Sequence, residues 1–134
     1  YIGEVLPSAE EVAQSIAKRD RIKIVPTGSY ALNLLGLSTQ IPLKLVYLTD
    51  GAPREIKIGN RTIKLKKTTP KNLMAKGEIS RLVIQALREV GQKGLTSELE
   101  MKVVGLLKKE DRKDLEHDVA LAPAWIRKIM QKSL

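Results

Sequence analysis

The sequence predicts an α+β fold: a small, mostly antiparallel sheet with helices packed on one face and a C-terminal helical segment. Three observations predict it. Two alternating apolar/polar runs flank Gly59-Asn60, which is β-hairpin chemistry. Ile79, Leu82, Val83, Ala86, Leu87 and Val90 recur at helical spacing. The strand-like runs lie mostly in the first half of the chain and the helical runs in the second, a segregation that belongs to α+β folds. A single domain spanning residues 1–134 accommodates these elements, because 134 residues at 43% hydrophobic can build a core of their own.

Each element has a local reason. Ser8-Ala9-Glu10-Glu11 reads as a capping box, with the Ser8 hydroxyl accepting from the third helical N–H. Ala9, Val12, Ala13, Ile16 and Ala17 then form an apolar stripe, predicting a helix over about 9–19. Ile22–Val25 is a short β-branched strand ended by Pro26. Residues 27–36 read as a short helix, with Thr27 or Ser29 to cap it and Gly36 to end it. Lys44–Thr49 is a strand, followed by turn residues Asp50-Gly51-Ala52-Pro53.

The hairpin over Arg54–Lys67 specifies its own register. A two-residue loop sets Ile58 against Arg61, Lys57 against Thr62, Ile56 against Ile63, Glu55 against Lys64 and Arg54 against Leu65. Ile56 and Ile63 meet on the core face, while Glu55, Lys57, Thr62, Lys64 and Lys66 share the other. The three strands from Lys44 to Lys67 are expected to run as a meander. After Thr68-Thr69-Pro70, a helical turn over 71–74 precedes a helix over about 77–90, which Gly91 and Gly94 end. Thr96 opens the next helix, with Leu99, Val103, Leu106 and Leu107 inward. Glu110–Asp118 reads as an exposed polar helix or turn. Pro123 suits the first turn of a last helix, whose apolar side is Trp125, Ile126, Ile129 and Met130.

Composition excludes several classes. Cysteine is absent, so disulfides and thiolate zinc sites are not available. This is compatible with a cytoplasmic location, which is the expectation. No apolar run approaches the roughly 18–20 residues that span a bilayer, and no signal peptide is visible.

Charge gives the strongest functional lead. Residues 54–76 hold eight lysines and arginines against one acid, Glu55, for a net of +7 out of +9 for the whole chain. Charge this concentrated attracts and orients a polyanion. The candidate contacts are Arg54, Lys57, Arg61, Lys64, Lys66, Lys67 and Lys71. The competing reading is a lysine-rich strand that only blocks edge-to-edge aggregation. The patch has no aromatic residue, and single-strand binders stack bases on aromatic platforms. Phosphate contact to a duplex without base readout is the better fit.

Other motifs are weaker. Thr27-Gly28-Ser29 ahead of a helix reads either as a phosphate cradle or as a strand-to-helix turn; the lysine and spacing of a phosphate loop are missing. Tyr30 and Asn33 share one face of that helix, as a polar anchor or a core edge. The one histidine, His117, lies in a segment that reads as solvated. Asp111, Asp114 and Asp118 fall on one helical face, which a hard cation or a basic partner could use, but lysine and arginine interleave them. No enzyme, no metal and no cofactor is expected.

The strings Val25-Pro26-Thr27-Gly28-Ser29-Tyr30-Ala31-Leu32-Asn33-Leu34-Leu35-Gly36-Leu37-Ser38-Thr39-Gln40, Val46-Tyr47-Leu48-Thr49-Asp50-Gly51, Ile56-Lys57-Ile58-Gly59 and Lys66-Lys67-Thr68-Thr69-Pro70-Lys71-Asn72-Leu73 carry a resemblance. Over roughly residues 10–90 the chain resembles the C-terminal region of AbiEi-like antitoxins, of the type IV toxin–antitoxin group. The resemblance implies a bacterial antitoxin and transcriptional regulator that represses its own operon. It implies operator DNA as a partner, through a winged-helix domain ahead of this one. It also implies functional antagonism of a nucleotidyltransferase-like toxin without a stable complex. No winged-helix segment precedes Tyr1, so base-specific operator reading is not expected of this stretch alone.

Overall fold

The Ser8 hydroxyl accepts from the Glu11 N–H at 3.1 Å and starts helix α1 (Ala9–Asp20). In the computed structural model, which describes residues 8–40 and 42–134, strand β1 (Ile24–Pro26), helix α2 (Gly28–Leu34) and strands β2 (Lys44–Thr49), β3 (Arg54–Ile58) and β4 (Arg61–Lys67) follow. A 3-10 turn at Pro70–Leu73 leads to helices α3 (Glu78–Val90), α4 (Ser97–Leu107), α5 (Arg112–Val119) and α6 (Ala124–Gln131).

The fold class is α+β, with a four-stranded, mostly antiparallel sheet and helices packed around it. The β3–β4 hairpin has the register its two-residue loop dictates, from Ile58↔Arg61 to Arg54↔Leu65. The three strands are not a meander, however. Their order is β1-β2-β4-β3, and β2 pairs with β4 in parallel. Burial explains the change. Ile63 and Leu65 of β4 are fully buried, while Ile56 and Ile58 of β3 are only half-buried. The strand with the larger apolar demand takes the centre. The Asp50–Pro53 link is long enough to carry the chain across two strand spacings of about 4.8 Å each, over the place that β4 fills.

Two clusters make the core. One lies between α1 and the sheet: Ala9, Ala13 and Ile16 meet Leu45, Tyr47, Ile63 and Leu65, joined by Tyr30 of α2. The other fills the helical half: Val83 and Leu87 of α3 meet Val103, Leu107, Leu115, Val119, Ile126 and Met130. Helix α3 also packs on α2 and β1, so it belongs to both halves.

The N-terminus of α3 is held by carboxylates from far along the chain. Asp118 is fully buried and accepts from the N–H groups of Lys76 and Gly77, each at 2.8 Å. Glu110 accepts from the Ser80 N–H at 2.7 Å. Negative charge at a helix N-terminus is favourable as well as hydrogen-bonded. Residues 110–118 are therefore not wholly solvated. Helix α5 buries Leu115, Asp118 and Val119 and exposes its remaining polar side.

Candidate nucleic-acid interface

Strand alternation builds the site. On β4, Ile63 and Leu65 face the core, which turns Thr62, Lys64 and Lys66 to the opposite face. The hairpin register adds Glu55 and Lys57. The parallel β2–β4 pairing adds a residue that lies outside the basic stretch of sequence: Lys44, opposite Thr62. Its Nζ sits 3.7 Å from a Glu55 carboxylate oxygen across the central strand. The pair is half-exposed and contributes little to stability, but it neutralises the one acid on this part of the face. Lys57, Lys64 and Lys66 are left without an ion-pair partner among the described residues. Half-buried Val46 and Leu48 complete the surface, and among the described residues no aromatic side chain lies on it.

The other candidates separate from this face. Arg61 is in phase with Ile63 and Leu65, and so lies on the core side of the sheet rim. Arg54 sits opposite Leu65 on that same side, and its guanidinium reaches Asp20 at the end of α1 at 3.4 Å. A hydrogen bond from Arg19 holds the Asp20 carboxyl below the usual carboxylate range, and the charges of Arg19 and Arg54 add to this. Arg54 is thus engaged within the fold. Lys67 ends β4, and Lys71 lies on the 3-10 turn; both are exposed.

The Thr27-Gly28-Ser29 turn meets the basic strand. Thr27, Leu48, Lys66 and Glu89 line two adjoining open hollows. One, of about 270 Å³, adds Ser29, Lys44 and Val46. The other, of about 310 Å³, adds Lys67, Thr68, Asn72, Gln85 and Arg88. Helix α3 walls this side of the sheet face, and Arg88 contributes a cation that the sequence pattern did not single out. The turn itself is spoken for. The Thr27 N–H donates to the Val46 carbonyl at 3.0 Å, and its hydroxyl donates to Gln85 Oε1 at 2.8 Å instead of capping α2. Gly28 has φ +64°, which favours glycine.

Tyr30 and Asn33 point elsewhere. Tyr30 is buried edge-on against Tyr47, with centroids 5.5 Å apart and the Tyr47 hydroxyl donating to that of Tyr30 at 3.3 Å. Burial pushes both phenol pKa values up, Tyr47 the further. The Asn33 amide donates to the Ser38 and Gln40 carbonyls and shapes the loop after α2. Asp111 and Asp118 likewise have separate duties. Asp111 caps α5 through the Asp114 N–H at 3.1 Å, and Asp118 holds the start of α3 with His117 Nδ1 at 2.8 Å. Among the described residues, no group of three His, Cys, Asp or Glu is placed to hold a metal ion, and no helix is long and apolar enough to cross a membrane.

Fold and surface together define a small α+β protein with one open cationic sheet face walled on one side by a helix. The chain belongs to a family of unknown function, DUF6088, which matches residues 1–115. No curated protein and no solved structure matches it.

Proposed function

We propose that this chain is a non-enzymatic antitoxin and transcriptional-regulator domain of a bacterial type IV toxin–antitoxin system, acting in the cytoplasm, and that its cationic sheet face contacts nucleic-acid phosphate. The observation that carries the contact is the convergence of Lys57, Lys64 and Lys66 from two strands on one face, with Lys44 beside them. Backbone positions held at fixed spacing suit a regular array of phosphates, because the strands place the lysines before binding, although their flexible side chains still lose rotamer freedom on contact. The want of an aromatic residue on the face among the described residues favours duplex phosphate over unstacked bases. The antitoxin assignment rests on the AbiEi-like strings over roughly residues 10–90. Within it, operator reading and antagonism of a nucleotidyltransferase-like toxin are the expected roles.

The test is binding to mixed-sequence duplex DNA across a salt series. Several phosphates neutralised give a steep fall in affinity with salt. The triple variant K57E/K64E/K66E should lose at least tenfold in affinity at low salt and flatten that dependence. Unchanged binding by a folded triple variant sinks the assignment. A preference for duplex RNA over duplex DNA would favour a stand-alone module for structured RNA, since A-form shape is read largely through phosphate and 2′-OH contacts.

A further inference from the structure

Strand β3 ends the sheet, and no described strand pairs with its outer edge. The ladder fixes which backbone groups that edge presents. The two-residue loop makes Ile58↔Arg61 a hydrogen-bonded pair, and pair types alternate from there. Ile56↔Ile63 and Arg54↔Leu65 are then hydrogen-bonded pairs too, so Ile56 and Arg54 turn their N–H and C=O groups inward to β4. Glu55 and Lys57 occupy the wide positions between them. Their N–H and C=O groups point out of the sheet.

We propose that this edge pairs antiparallel with the same edge of a second copy of this chain, joining two four-stranded sheets into one. Three two-fold registers align the outward groups. Centred on Glu55, the pairing sets Glu55 against Glu55 and brings Lys57 opposite Pro53, which has no N–H to give. Centred on Lys57, it sets Lys57 against Lys57. Centred on Ile56, it sets Glu55 against Lys57 of the second copy and Lys57 against Glu55, each pair exchanging two backbone hydrogen bonds. Only that register is complementary in charge. It also stacks Ile56 on Ile56 of the second copy across the half-buried side of the sheet.

Edge strands that must stay single carry lysines or other like charges, prolines, bulges or inward-pointing charges. Over Arg54–Ile58 the strand has no proline, and the β3–β4 register runs without a bulge. Its two charged residues at the free positions are of opposite sign, and strand side chains stand perpendicular to the sheet, clear of the edge. The interface is isologous, as a closed dimer requires. It would set two cationic faces side by side in one continuous sheet, and it stands whatever that face binds.

The test is sedimentation equilibrium from micromolar to millimolar chain, at about 0.15 M salt so that the repulsion between +9 chains is screened beyond about 8 Å. The intact chain should dimerise. Glu55→Lys alone and Lys57→Glu alone each replace two attractive contacts per dimer with repulsive ones, and each should weaken association about tenfold or more. An equal mixture of the two variants restores opposite charges at every facing pair, so a heterodimer should form as tightly as the original. Circular dichroism confirms that both exposed-site variants are folded. An intact chain that stays monomeric, a Glu55→Lys variant that dimerises undiminished, or a mixture that fails to associate would each overturn the proposal.

Discussion

Removing the Asp118 carboxylate should destabilise the chain far more than removing that of Asp111, the N-cap of the same helix. Asp118 is fully buried and accepts two backbone N–H groups at 2.8 Å, those of Lys76 and Gly77, with Gly77 itself buried. Hydrogen bonds to a charged group contribute about 1.5–3 kcal/mol each, a cost that is felt in full when the buried donor is left without a partner. Asp118→Ala strips both bonds and should cost about 3–6 kcal/mol. Asp118→Asn keeps one acceptor but turns an amide NH2 toward the second N–H, so about 2–3 kcal/mol is expected. Asp111 supplies the comparison: it is an exposed N-cap with one bond to the Asp114 N–H, and Asp111→Ala should cost about 1 kcal/mol. Urea denaturation at neutral pH reads all three. With a slope of about 2 kcal/mol per molar, Asp118→Ala lowers the midpoint by about 2 M and Asp111→Ala by about 0.5 M. Equal costs for the two alanine variants would refute the claim that Asp118 anchors the start of α3.

Two further substitutions probe the sheet half. Tyr47 is fully buried and its phenol pKa is raised, so the folded state keeps a proton that the unfolded chain releases above about pH 10. The contribution of Tyr47 to stability is therefore level below about pH 10 and falls as pH rises beyond it, by about 1.4 kcal/mol per pH unit for each proton retained. Tyr47→Phe should remove one proton's worth of that slope in urea titrations at alkaline pH; an identical slope would place the alkaline sensitivity elsewhere. Thr27→Val removes the hydroxyl that donates to the buried Gln85 amide oxygen and should cost about 1–2 kcal/mol by thermal or urea unfolding. No loss would mean the α2–α3 tie is dispensable.

Local patterns in the sequence were legible wherever a single turn or a single period decides the outcome. Gly59-Asn60 leaves one register for the hairpin, and the spacing from Ile79 to Val90 leaves one face for α3 to bury. Which strand stands beside which is not a local property. The position of β4 follows from the burial of Ile63 and Leu65 against α1, a contact between segments more than forty residues apart. The membership of the cationic face inherits that difficulty. Lys57, Lys64 and Lys66 could be placed on it from the hairpin alone. Lys44 could not, because it joins only through the parallel pairing, and Arg88 arrives on a separate helix. Arg54 and Arg61 were counted with the patch because charge along a sequence does not say which side of a strand it occupies. Asp118 read as solvated because its neighbours are charged. What buries it is the pair of N–H groups at Lys76 and Gly77, which no window around residue 118 contains.

The insertion of β4 between β2 and β3 also bears on the order of assembly. β1 and β2 can pair in the order in which they are synthesised, but β3 cannot be added to them directly, because β4, the strand that stands between β2 and β3, is made after it. The hairpin can close by itself on a microsecond timescale. The slower event is its arrival, as a ready-made ribbon, alongside β2, since that closure spans a longer loop and brings together residues distant in the chain. Lys44 meets Glu55 only at that moment. The cationic face and the interior beneath it thus come into being in the same step, and a chain caught before that step presents neither.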